Sequence, residues 1–83
     1  MKPDKIYHEL EDIAEILNIK IIQRKGNFKG GYCLLEKEKF IVINKLNPIE
    51  QQVRALAQAF SRLNMTQIYV KPAIREFIES EKM

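Results

Sequence analysis

The chain predicts an α+β domain in the order α-β-β-β-α-α, a three-stranded antiparallel meander covered by helices. Helical spacing of apolar residues marks both ends of the sequence, while three short β-branched runs fill residues 19–46 between them. The links between those runs are seven and two residues long, and links this short favour neighbouring antiparallel strands.

Ile6, Leu10, Ile13, Ala14 and Leu17 recur on one face of a helix expected over 3–17. Pro3 suits its first turn, Asp4 favours the dipole there, and Asn18 can adopt the left-handed conformation that stops it. Residues 19–24 alternate Ile with Lys20, Gln23 and Arg24 and read as the first strand. Gly26, Gly30 and Gly31 punctuate 25–31 and can supply positive φ, so this stretch reads as a hairpin loop. Residues 32–36 form the second strand, and Lys37 and Glu38 make a tight turn without the usual Asn-Gly chemistry. The third strand, 39–46, sends Ile41 and Ile43 one way and Phe40, Val42 and Asn44 the other. Apolar residues on both faces predict a strand more buried than its neighbours.

Asn47 as N-cap, Pro48 at the first helical position and Glu50 two residues on approximate a capping box for a helix over 48–64. Val53, Leu56, Ala57, Phe60 and Leu63 form its inner face, with Gln51, Gln52, Arg54, Gln58, Ser61 and Arg62 outside. Ile68 to Val70 is a short extended piece. Pro72 opens a last helix to about Ser80, with Ile74, Phe77 and Ile78 on its apolar side; with Tyr69 they either close the core or form an interface.

Eighty-three residues make one domain, 1–83, near the small end of what folds without staples. A core of this size rarely supplies more than about 3–5 kcal/mol, so dimerisation is a natural way to add burial. The single Cys33 excludes an intramolecular disulfide and a cysteine zinc cage, and fits a reducing compartment. No apolar run is long enough to span a bilayer, and no signal-peptide stretch opens the chain, so a cytoplasmic protein without membrane contact is expected.

Net charge is +3 but uneven. Residues 1–17 carry −3, and residues 18–47 carry +5. Either packed elements complement one another or a positive face is presented to a partner.

Catalysis needs convergent titratable groups, and none is legible: no catalytic residue, metal site or cofactor is expected. His8 and Asp12 share a helix face at i, i+4, as zinc ligands do, but on the solvated side and without a third ligand. Cys33 reads as a small buried apolar side chain. The segment most open to a binding role is the glycine loop with its flanks. There Lys20, Arg24, Lys25 and Lys29 would attract an anion or nucleic acid, and Phe28 and Tyr32 would stack on bases between them. The spacing matches neither a phosphate loop nor a dinucleotide fingerprint.

The strand, Asn-Pro turn and amphipathic helix of residues 40–64 resemble the core of the ImmA/IrrE-like minimal metallopeptidases. In that resemblance Gln58 and Arg62 stand where the two zinc histidines would be, and Ala59 where the catalytic Glu would be. The likeness therefore implies a fold and a groove beside Gln58 and Arg62, with an extended peptide along the third strand, but not zinc hydrolysis. The Gly-Gly-Tyr-Cys step, the Ile-Asn-Lys strand and the late Val-Lys-Pro-Ala-Ile-Arg-Glu segment are also similar to a group of short bacterial proteins, a likeness that brings no activity with it. The leading expectation is a non-catalytic protein–protein interaction or scaffold module that self-associates as a homodimer or binds another protein. Nucleic-acid or anion binding through the basic strand region is the alternative, and a degenerate peptidase-like peptide groove a further one.

Overall fold

The structure, a computed structural model, describes residues 1–35 and 37–82, with side chains for all of these except 33–35. Its elements are α1 (Pro3–Ile16), β1 (Ile19–Arg24), β2 (Gly31–Leu35), β3 (Glu38–Asn44), α2 (Ile49–Ser61) and α3 (Pro72–Ser80). The expected element order and the α+β class hold. Expected burial of Cys33 and the strand end at Glu36 lie outside the described residues.

The meander does not hold. The sheet order is β1-β3-β2, with β1 parallel to β3 and β2 antiparallel to it. The six-residue link, 25–30, is long enough to step over one strand, a distance of about 10 Å, and two features fix that crossing. The buried Asn44 amide donates to the carbonyls of Gly26 and Phe28 at 2.8 and 2.9 Å, while its oxygen accepts from the Leu46 amide at 3.0 Å. Gly30 passes so close to β3 that a Cβ there would collide with the Val42 carbonyl. The strap from β1 to β2 is thus tied down at the end of β3. No described glycine has positive φ; Asn18 and Lys37 do, at 59° and 76°. Gly30 therefore serves through its missing side chain rather than through a left-handed backbone.

Two-sided apolar character in β3 is explained by its central position. Ile41 and Ile43 are fully buried under the helices, while Phe40 and Val42 are half-buried on the opposite face. All three helices pack on the Ile41 side: α1 on β1 and α2, α2 on β2 and β3, and α3 on α1 and α2. Leu10, Leu56, Phe60, Ile74 and Ile78 complete the interior. The last helix therefore closes the core, leaving Tyr69 exposed in the segment before it. A Lys71–Glu9 contact of 2.7 Å ties the start of α3 to α1.

Asn18 stops α1 as expected, but α2 is capped differently. Pro48 is its N-cap, with no side-chain bond, and the Asn47 carbonyl instead accepts from the Gln52 side chain at 2.8 Å. No described helix is long and apolar enough to cross a membrane.

Candidate functional site

Because β2 pairs only with β3, its outer edge has no partner strand among the described residues. At the start of β2 lies an open groove of about 500 Å³, walled on one side by Lys29 to Tyr32 with Ile43 of β3, and on the other by α2. Packing of α2 on β2 and β3 through Val53, Leu56, Ala57 and Phe60 turns the helix's other side toward the groove. That side presents Gln51, Arg54, Ala55, Gln58, Ala59 and Arg62, and Asn44, Asn47 and Gln52 close one end.

The lining is unusual in composition. Side-chain amides come from Asn44, Asn47, Gln51, Gln52 and Gln58, and three cations come from Lys29, Arg54 and Arg62, with no carboxylate among the described lining residues. Asn44 is spent on the strap and Gln52 on the Asn47 carbonyl. The Arg54 guanidinium lies 3.1 Å from the Glu81 carboxylate. Lys29 and Arg62 form no ion pair among the described residues. Peptide-like donors and acceptors, an open strand edge and unbalanced positive charge thus converge in one place.

Gln58 and Arg62 both line this groove, with Ala59 buried between them. One feature of the expected groove is corrected: a peptide has no free edge to join on β3, which is paired on both sides, and the open edge belongs to β2.

The basic residues read together from the sequence are divided by the sheet. Lys20 and Arg24 lie on the face that carries no helix. There the Lys20 ammonium sits 6.0 Å over the Phe40 ring and 3.9 Å from Glu38. Lys29 and Tyr32 belong to the groove instead, and the Tyr32 ring packs against the core. Lys25 is exposed in the strap, where the Phe28 ring turns back against Gly26 and keeps 38% of its surface exposed.

His8 is exposed on α1, 3.0 Å from Glu11. Among the described residues no three His, Cys, Asp or Glu side chains come together as a ligand set. Elsewhere, Tyr7 is buried and accepts a hydrogen bond from Gln23; burial raises its pKa, the bond with Gln23 opposes that, and the Glu11 charge adds to it.

Sequence reasoning placed Gln51, Gln52 and Arg54 on a solvated helix face and missed their part in the groove, along with Asn47. The available signal was the amide content of that face. A solvated helix usually carries Lys and Glu pairs rather than three glutamines. No family model, curated protein or solved structure matches the chain.

Proposed function

We propose that this is a non-catalytic polypeptide-binding domain, whose groove takes an extended segment of another protein as an added strand on β2. The observation that carries it is the groove between the amide-bearing side of α2 and the start of β2, a strand whose outer edge is unpaired among the described residues. An extended chain beside β2 satisfies the strand's outward backbone groups with its own, which gives affinity without reading sequence. Gln51 and Gln58 supply further donors and acceptors to the same backbone, and Tyr32 and Ala59 give it an apolar floor. The described lining residues include no nucleophile with an adjacent base and no acid–base pair, which supports the non-catalytic reading.

Selection of binders from a random dodecapeptide library, followed by calorimetry on N-methylated versions, tests the mode directly. Strand addition requires that methylating the amides facing β2 abolishes binding and that methylating the alternate set leaves it intact. Equal tolerance of both sets rules the mode out, as does failure to recover any peptide that Gln58→Trp blocks.

A further inference from the structure

We infer that the segment taken up by the groove is acidic, with carboxylate side chains held between Lys29 and Arg62; this rests on the polypeptide-binding reading above. The charges that face the groove are all positive, and they come from separate elements, the strap before β2, the body of α2 and its C-cap. Arg54 already has Glu81 beside it, which leaves Lys29 and Arg62 as the two without a carboxylate among the described residues. Both side chains are exposed in the open groove, and an uncharged guest would leave their like charges unbalanced. A carboxylate relieves that and gains charge-assisted hydrogen bonds, bidentate in the case of Arg62.

Phosphate is the competing anion, and two features disfavour a nucleic acid in this place. Stacking on bases needs a free aromatic face, but Tyr32, the one aromatic among the described lining residues, is packed against the core. Lys20 and Arg24, which would extend a backbone track, lie on the far face of the sheet. The amide lining, by contrast, matches a peptide backbone.

The test uses three synthetic dodecapeptide pools built on Thr, Val and Ser, identical except that two interior positions carry Glu, Gln or Lys. Binding is followed by fluorescence anisotropy of the labelled pools. The Glu pool is expected to bind at least about tenfold tighter than the Gln pool, the scale of a charge-assisted pair. Lys29→Glu with Arg62→Gln is expected to erase that preference, and circular dichroism confirms that the variant is folded. Because Arg62 sits at the end of α2, where a cation favours the helix, Lys29→Glu alone serves as the second variant. Equal binding of the Glu and Gln pools overturns the acidic preference and leaves strand addition standing. Binding of no pool overturns both. Displacement of the Glu pool by a dodecamer of thymidylate at equal or lower concentration assigns the cations to phosphate and also overturns the inference.

Discussion

The two edges of the sheet differ in how they are built and in what they present. At the β1 edge a smaller hollow of about 380 Å³ lies against α1, and Glu11, Glu15, Lys20 and Asn18 are among the residues lining it, so both signs of charge occur there. At the β2 edge the charges lining the groove are of one sign and amides predominate. Construction follows the same division. β1 is entered by a one-residue left-handed stop at Asn18 directly from α1, whereas β2 is reached by a strap held through Asn44 and Gly30. An edge lined by charges of both signs favours no one kind of ion, while an edge lined by cations alone is expected to be where an acidic partner sits.

Breaking the strap is expected to have the largest effect. Asn44→Asp replaces a twofold amide donor with a carboxylate facing the carbonyls of Gly26 and Phe28. The loss is expected to be about 3 kcal/mol or more in urea unfolding, because two bonds vanish and a buried charge faces two dipoles. Gly30→Ala is expected to cost about 2–3 kcal/mol through its collision with the Val42 carbonyl. Either variant should loosen β2 before β1, and hydrogen exchange read by residue distinguishes the two edges.

Charge reversal separates the edges in binding rather than in stability. Lys29→Glu is expected to weaken the Glu-bearing peptide pool by tenfold or more, about 1.4 kcal/mol. Glu15→Lys, at the opposite edge, is expected to leave it within about twofold, because the hollow there lies outside the groove. A strengthening by Glu15→Lys as large as the weakening by Lys29→Glu in anisotropy titrations means that net charge, not the groove, governs binding.

A smaller, pH-dependent effect belongs to the β1 side. Tyr7 holds its proton more tightly in the folded chain than in the unfolded one. Its contribution is therefore complete below the unfolded pKa, about 10, and is lost as pH rises through the higher folded value. Denaturation midpoints of the native chain should fall more steeply between roughly pH 9 and 11 than those of Tyr7→Phe, with parallel curves counting against it. The smallest effect is expected from Gly31→Ala. A Cβ there meets nothing, so stability should change by no more than about 0.5 kcal/mol, which isolates close approach at Gly30 as the reason for that glycine.

Helices and strands were largely legible because periodicity reports which side of an element is buried, and burial here follows it closely. Sheet order was not. Link length favoured a meander, whereas two-sided apolar character in β3 pointed to the central place it occupies. That second signal is the better physical guide, since a central strand is covered more fully than an edge. Asn44 was read only as one of three residues sharing a strand face. Its role depends on two loop carbonyls sixteen and eighteen residues away, and no local rule announces such a contact. Gln58 and Arg62 were found through a resemblance, and Lys29 through its charge. The rest of the groove came from glutamines that propensity treats as ordinary helix exterior.

Backbone amide exchange of the chain with and without the Glu-bearing dodecapeptide pool tests the central claim most directly. Protection should appear at alternate amides of β2, those whose N–H points away from β3, and nowhere along β1. Protection on β1, or perturbation confined to the open face around Lys20 and Phe40, contradicts an added strand in this groove.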